Sequence, residues 1–215
     1  MFDLIPEPVE AYCEAHTSEP DVLFYQLWRE THLKMMNPRM ASGKLQGMFL
    51  TFIAKMMKPQ KVLEIGTFTG YSALSIAAGM PANGHIDTIE LDVELEDFIM
   101  KYVQQSPYNQ NITLHIGNAL DVIPQLTTND YDLAFLDADK EEYDTCYELI
   151  LPKMRKGAIM LVDNVLWNAK VIAEVAHNDK DTKALVAFNE KVQADLRVRN
   201  MLLPFRDGMM LIEKL

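Results

Sequence analysis

The pattern of apolar and polar positions changes at residue 61, and from there it repeats in strand–turn–helix units. Short apolar runs predict five strands, at residues 61–65, 85–91, 112–116, 131–136 and 158–162. The stretches between them predict helices, at residues 71–78, 94–105, 119–126 and 141–154. The last two strands are almost continuously apolar, which is typical of strands buried on both faces in a parallel sheet covered by helices.

The two ends of the chain depart from this repeat. Further helices are predicted there, at residues 23–35, 42–58 and 182–196. The first follows a cap and an early proline in Ser18-Glu19-Pro20-Asp21, and the second has one apolar face. The chain closes with two predicted strands, residues 198–204 and 208–214, and the short polar turn between them indicates an antiparallel hairpin.

These elements together predict an α/β fold of the Rossmann-like type. We expect a doubly wound, mostly parallel seven-stranded sheet that ends in an antiparallel C-terminal hairpin and carries an N-terminal helical extension. Residues 1–215 are predicted to form one domain, with the N-terminal helices in 1–58 and the α/β core in 61–215.

Composition and charge narrow the class of protein. The 215 residues are 49% apolar and 24% charged, as in a globular protein in solution. No apolar run approaches the roughly 20 residues of a membrane span, and the first ten residues lack a signal-peptide pattern, so we expect no membrane contact and a cytoplasmic location. The net charge of −11 argues against a nucleic-acid partner. A small-molecule substrate is the expectation.

A glycine-containing turn follows the first predicted strand, in Ile65-Gly66-Thr67-Phe68-Thr69-Gly70. Its glycine spacing matches neither the dinucleotide fingerprint nor a P-loop, but glycine lets backbone approach a ligand, and the following helix offers its N–H groups. Glu90 ends the next strand, where an acid can accept hydrogen bonds from ribose hydroxyls. Together they predict a nucleoside-containing cofactor. The alternative for Glu90 is a solvated loop glutamate.

Polar side chains also follow two later strands. Asp137 comes directly after strand 131–136, and Asp163 and Asn164 follow strand 158–162. The carboxyl ends of such strands form the ligand crevice of a doubly wound sheet, so we expect these three side chains to lie close together. Carboxylate and amide oxygens suit Mg²⁺, with Ca²⁺ or Mn²⁺ as other candidates. The alternative is helix capping, which would account for either site singly.

Four segments carry a family resemblance. They are Glu64-Ile65-Gly66-Thr67-Phe68-Thr69-Gly70-Tyr71-Ser72, Leu136-Asp137-Ala138-Asp139-Lys140, Asp163-Asn164-Val165-Leu166-Trp167-Asn168 and Leu203-Pro204-Phe205-Arg206-Asp207-Gly208. In this order and spacing they closely resemble the class I O-methyltransferases of the caffeoyl-CoA and catechol group. The resemblance runs from about Met40 to the last residue.

The resemblance implies a cofactor, a metal and a reaction. The cofactor is S-adenosylmethionine, and the residues similar to its contacts are Ser42, Glu64, Gly66, Thr67, Ser72, Glu90, Ala119, Asp137 and Asp139. Asp137, Asp163 and Asn164 resemble the ligands of a divalent metal, and Asn168 matches a substrate-side position. The implied reaction is methylation of one hydroxyl of a catechol-like vicinal diol, and the implied assembly is a homodimer.

Lys140 falls where the catechol enzymes of this group keep a lysine base, with Asp137 beside it. The alternative is a structural ion pair of Lys140 with Asp137, Asp139 or Glu142, in which case metal activation of the hydroxyl would suffice. Two other function classes stay open at this point: a metal-independent methyltransferase acting on a nitrogen or a single hydroxyl, and a nucleotide-binding module without catalysis.

Overall fold

The computed structural model describes residues 5–215, which divide into two compact units. One unit comprises Glu7–Ala119, and the other comprises Leu120–Leu215 together with Ile5 and Pro6. Among the described residues, no helix is long and apolar enough to cross a membrane. The prediction of a single domain stays a prediction.

The first unit contains the N-terminal helices and the first three strands. Its elements are α1 (Glu7–Ala15), α2 (Val22–Lys34), α3 (Gly43–Met57), β1 (Lys61–Ile65), α4 (Tyr71–Gly79), β2 (His85–Glu90), α5 (Glu96–Gln105) and β3 (Ile112–Ile116). The three strands pair in parallel, with β2 between β1 and β3. Helix α4 is buried along almost its whole length because α3 and α2 pack over it.

The second unit contains the remaining strands. Helix α6 (Ala119–Gln125) begins at the boundary, and the other elements are β4 (Tyr131–Leu136), α7 (Tyr143–Lys153), β5 (Met154–Asp163), α8 (Lys180–Ala194), β6 (Val198–Leu203) and β7 (Met209–Lys214). Strands β4 and β5 are parallel, and β7 pairs antiparallel with both β5 and β6. Helices α7 and α8 pack against each other and against these strands.

The strand order of the seven-stranded sheet is β3-β2-β1-β4-β5-β7-β6. Five of the strands follow the parallel, doubly wound pattern, and β6 and β7 form the antiparallel hairpin. The predicted fold class is therefore confirmed.

One predicted boundary is wrong. The sequence pattern placed Met154 at the end of a helix and began the next strand at 158, but α7 ends at Lys153 and β5 begins at Met154. Met154 is buried and pairs with Tyr131, and the register then shifts before the regular pairing resumes. The three exposed residues at 155–157 form this irregular stretch, and their polarity made the strand look like a turn in the sequence.

A cluster of charges around Glu30 joins α2 to α5. Its Oε2 accepts hydrogen bonds from Lys101 Nζ and Tyr102 Oη, and Lys34 Nζ lies 2.6 Å from its Oε1. These bonds, that from Lys101 above all, lower the pKa of Glu30 from 4.5 to about 2. The ionised carboxylate is therefore the form that the folded unit stabilises.

We expect the Glu30→Gln variant to lose about 1 kcal/mol of unfolding free energy at pH 7, the range of a well-bonded surface ion pair. Since the folded pKa is depressed, the stabilisation is present above pH 4.5 and is lost as the pH falls towards about 2. Urea unfolding at a series of pH values measures the difference between variant and wild type, which should shrink in that window. The Glu190→Gln variant, at an exposed carboxylate of α8, is the control. A difference that is the same at every pH would contradict this account.

Candidate active site

The glycine turn that follows β1 is held against the end of β2. The backbone N–H groups of Gly66 and Thr67 both donate to the carbonyl oxygen of Ile89, at 3.0 and 3.2 Å. Gly66 has a φ of 94°, and Phe68 adopts a φ of 49°, which is uncommon for a residue with a Cβ. Strained backbone of this kind persists where the surroundings hold it, and it is frequent at ligand sites.

Hydrogen bonds to the Glu90 side chain fix much of the backbone of this turn. Its Oε2 accepts a hydrogen bond from Phe68 N at 2.6 Å, and its Oε1 accepts one from Asp92 N at 2.9 Å. The side chain is buried, and the desolvation raises the pKa of Glu90 while the backbone N–H groups oppose the rise. Glu90 therefore fixes the turn, which excludes the alternative of a solvated loop glutamate. Each oxygen keeps lone-pair capacity for a ligand, and the ribose role stays a prediction.

A chain of three side chains lies behind the turn. Thr88 donates to Glu64 Oε2 at 2.5 Å, and Thr67 Oγ1 lies 2.5 Å from Thr88 Oγ1. Because the Thr88 hydroxyl has one proton and gives it to Glu64, Thr67 must be the donor to Thr88. All three side chains are buried. The Thr67 hydroxyl can therefore only accept from a ligand.

The other predicted cofactor residues of this unit lie at three different elements. Ser42 directly precedes α3, Ser72 lies in the first turn of α4, and Ala119 begins α6; all three are buried. Their roles towards the cofactor stay predictions.

In the second unit, Lys140 forms hydrogen bonds to two of the predicted metal ligands. Its Nζ lies 3.0 Å from Asp137 Oδ1 and 2.9 Å from Asn164 Oδ1. Asp137 follows β4 and Asn164 follows β5, and these two strands are parallel neighbours that end at the same edge of the sheet. Both oxygens can therefore bond the same nitrogen atom, Lys140 Nζ. Lys140 itself is buried. The ion pair with Asp137, one of the two interpretations of this lysine, is present.

Tyr143 completes the surroundings of Lys140. The Tyr143 hydroxyl accepts from Lys140 Nζ at 2.6 Å and donates to the main-chain oxygen of Asp163 at 2.9 Å. The side chain is fully buried, and this burial, with the nearby charge of Asp137, raises the pKa of Tyr143 well above its ordinary value. Tyr143 is thus a neutral link between the lysine and the end of β5.

The residues around Lys140 fit a divalent cation by donor type. Asp163 is buried at the end of β5, and its Oδ1 accepts from Asn164 N at 2.9 Å. No metal-binding group of three or more His, Cys, Asp and Glu side chains occurs among residues 5–215, so the Asn164 amide oxygen would be the third donor beside Asp137 and Asp163. Two carboxylates and an amide form a hard oxygen set of the kind that Mg²⁺ prefers.

Two further predicted residues have defined local roles. Asp139 is exposed, and its Oδ1 accepts from Glu141 N at 3.0 Å, so it caps the short 3-10 helix Lys140–Glu142. Asn168 is exposed in the loop after β5, and its backbone N–H donates to Asp207 Oδ1. Neither contact tests the predicted cofactor role of Asp139 or the substrate-side role of Asn168.

Three residues that the sequence did not single out contribute to these arrangements: Thr88, Tyr143 and Asp207. Tyr143 follows Lys140 by three positions, a spacing that brings side chains together on a helix and could have drawn attention to it. Thr88 shares its strand with Glu90, two positions away, so both point to the same face. Asp207 lies in one of the four segments that carry the family resemblance, but nothing in the sequence indicated its contact with the loop after β5.

Comparison with known proteins identifies the family. The O-methyltransferase family profile matches residues 14–215. A Dictyostelium discoideum protein named "Probable caffeoyl-CoA O-methyltransferase 2" is 36% identical over 171 residues, which cover 78% of this chain and 74% of that protein. Among solved structures, a Podospora anserina methyltransferase with SAH bound has a TM-score of 0.89 at 26% identity, covering 97% of this chain and 94% of its own.

A second solved structure agrees with the first. It is an O-methyltransferase of tomaymycin synthesis from Streptomyces achromogenes, in complex with SAM, with a TM-score of 0.88 at 26% identity and 96% of each chain covered. The matched profile covers both the glycine turn of the first unit and the Lys140 surroundings of the second. The chain therefore belongs to the O-methyltransferase family.

Proposed function

We propose that this O-methyltransferase transfers a methyl group from S-adenosylmethionine to one hydroxyl of a catechol-like vicinal diol, with a divalent cation, Mg²⁺ first among the candidates. The single observation that supports the metal is that two hard oxygen donors from neighbouring strand ends, Asp137 Oδ1 and Asn164 Oδ1, lie close enough together to be bonded by one nitrogen atom, Lys140 Nζ. The neighbouring Asp163 adds a second carboxylate.

The cofactor half of the proposal rests on the glycine turn. Backbone N–H groups at the start of α4 and the acids Glu64 and Glu90 behind and beside the turn offer contacts to an amino acid group and a ribose. Ser42, Thr67 and Ser72 add hydroxyl groups from the same unit. The related Streptomyces achromogenes enzyme was solved with SAM, which supports the same cofactor here.

The reaction needs an oxygen nucleophile that is close to an anion. A phenolic hydroxyl has a pKa of about 10 and is mostly protonated at neutral pH. A bound divalent cation chelated by both hydroxyls would lower that pKa, and a vicinal diol is the acceptor that can chelate. Asp137, Asp163 and Asn164 would hold the cation.

Lys140 would remove the proton of the acceptor hydroxyl. Its Nζ lies beside the oxygens that would hold the cation, so it is within reach of a hydroxyl bound there. We assign the neutral amine of Lys140 as the acceptor of the hydroxyl proton, since the ammonium has no lone pair. The Tyr143 hydroxyl helps to fix Nζ by a hydrogen bond of 2.6 Å. Asn168 and the loop after β5 would contact the acceptor.

One observation favours a second candidate, a metal-independent methyltransferase acting on a nitrogen or a single hydroxyl. The ammonium of Lys140 already neutralises Asp137 and bonds Asn164, so these residues have a structural cation without a metal. In that case an acceptor with one hydroxyl would react as well as a diol.

The deciding experiment compares matched acceptors with and without metal. A catechol and its single-hydroxyl analogue are incubated with S-adenosylmethionine after EDTA treatment, and then after Mg²⁺ is restored. We expect methyl transfer to the diol alone, with a fall of about 10³-fold in EDTA, since metal activation contributes several kcal/mol. Equal rates before and after chelation would exclude the metal and support the second candidate.

Calorimetric binding of S-adenosylmethionine in EDTA is the control, because the predicted cofactor residues of the first unit need no metal. If the protein binds S-adenosylmethionine but transfers no methyl group, the acceptor or metal part of the proposal is wrong and not the cofactor part.

The homodimer implied by the resemblance stays a prediction.

A further inference from the structure

The loop after β5 contains a run of left-handed backbone. Trp167, Asn168 and Ala169 have φ values of 46°, 51° and 60°, and Asn164 at the start of the loop has 58°. A residue with a Cβ avoids this region because the Cβ crowds the following carbonyl oxygen. Three such residues in succession are therefore held there by other parts of the structure.

The turn between β6 and β7 supplies that hold. Leu166 N donates to the main-chain oxygen of Asp207 at 2.9 Å, and Val165 N donates to that of Gly208 at 3.2 Å. Asn168 N donates to the Asp207 side chain through Oδ1. The hairpin turn thus accepts three hydrogen bonds from backbone N–H groups of the loop, and Asp207 accepts two of them.

The two segments are in close contact at Gly208. Its φ is 93°, and a Cβ there would lie 2.7 Å from Leu166 N, too near for any side chain. Burial raises the pKa of the half-buried Asp207 above its ordinary value despite the bond from Asn168. The carboxylate has therefore given up water to contact the loop.

The left-handed run at residues 167–169 places the Trp167 ring near Lys140. Lys140 Nζ lies 5.6 Å from the centroid of the Trp167 ring. The Trp167 Nε1 atom is buried, and it has no hydrogen-bond partner among the described residues. A buried indole N–H without an acceptor is unfavourable, so the position of this ring is imposed by the backbone of the loop.

We propose that Asp207 is a positioning residue for the acceptor. Its side chain binds Asn168 N and its main-chain oxygen binds Leu166 N, and it thereby holds the left-handed run that places Trp167 beside Lys140. This inference rests on the proposed function, since it assigns the loop to the acceptor side. Asp207 itself touches no reacting atom.

The test compares Asp207→Ala with Asp207→Asn. The amide oxygen of asparagine can still accept from Asn168 N, whereas alanine cannot. We expect the alanine variant to raise the acceptor KM about tenfold or more, the loss expected for a hydrogen bond to a charged group, with the Kd for S-adenosylmethionine unchanged. The asparagine variant should stay within about threefold of wild type. Glu213→Ala, at an exposed ion pair of the same hairpin, is the control and should leave KM unchanged.

Fluorescence provides a readout that does not need turnover. The chain has two tryptophans, so in a Trp28→Phe background the emission reports Trp167 alone. Asp207→Ala should shift this emission to the red, and Asp207→Asn should not. An unchanged acceptor KM and an unchanged emission in the alanine variant would overturn the inference. If the wild type methylates no diol, the proposed function fails, while the emission shift still tests the hold of Asp207 on the loop.

Discussion

Replacing Asp163 by asparagine is expected to lower kcat/KM for a vicinal diol by about 10³-fold. Asp163 is buried at the end of β5, and its Oδ1 accepts from Asn164 N. Asparagine keeps an oxygen for that bond and the same shape, so the fold is preserved. The variant loses one of the two negative charges that would bind a divalent cation, and with it the several kcal/mol of metal activation.

Steady-state kinetics at a series of Mg²⁺ concentrations measures this effect, and calorimetry checks that the Kd for S-adenosylmethionine stays within about twofold of wild type, since no ligand contact is removed. The matched control is Asp144→Asn, at an exposed aspartate of α7 that pairs with Lys191. It should keep wild-type activity. A rate for Asp163→Asn close to that of the control would remove the metal from the mechanism.

The second large effect is expected at Lys140. A general base contributes about 10²- to 10⁴-fold to a rate, so Lys140→Met should lower kcat by about 10²-fold or more with both substrates saturating. The effect should appear in kcat because the lysine acts on the bound acceptor. Since Lys140 Nζ also bonds Asp137, Asn164 and Tyr143, a second variant is needed to separate the base from the ion pair.

Lys140→Arg makes that separation. Arginine keeps the positive charge, and so the ion pair with Asp137, but it cannot be deprotonated in a protein and so cannot accept a proton. If Lys140 is the base, the arginine variant stays as slow as the methionine variant. Recovery of most of the wild-type rate with arginine would show that the lysine is structural. Lys156→Met, at an exposed lysine of β5, is the control for loss of a lysine.

Much of the fold could be predicted because its signals are local. The apolar runs at 131–136 and 158–162 identify strands buried on both faces, and the structure has strands there. The wrong boundary at Met154 has a physical reason: two charged residues and a glycine, all exposed at 155–157, interrupt the apolar run where the register of β5 shifts. A bulged strand start depends on pairing with β4, which a local pattern does not contain.

Part of the candidate site could likewise be predicted from the sequence, and part could not. Asp137 and Asn164 could be predicted to meet because parallel neighbouring strands end at one edge, and both contact Lys140 Nζ. The roles of these residues towards a metal and a cofactor stay predictions. Lys140 was assigned two interpretations from the sequence, and the contact with Asp137 shows that the ion pair exists.

What the sequence alone determined is the order of the strands along the chain, the glycine turn and the residue types at the strand ends, since each follows from neighbouring positions and from the rule that parallel strands end together. Only the tertiary structure decided which partners fix those side chains. Tyr143 bonds the main chain of Asp163 across 20 positions, and Asp207 bonds Asn168 across 39. Contacts between segments so far apart depend on how loops and helices pack, and no periodic pattern of apolar and polar residues records that packing.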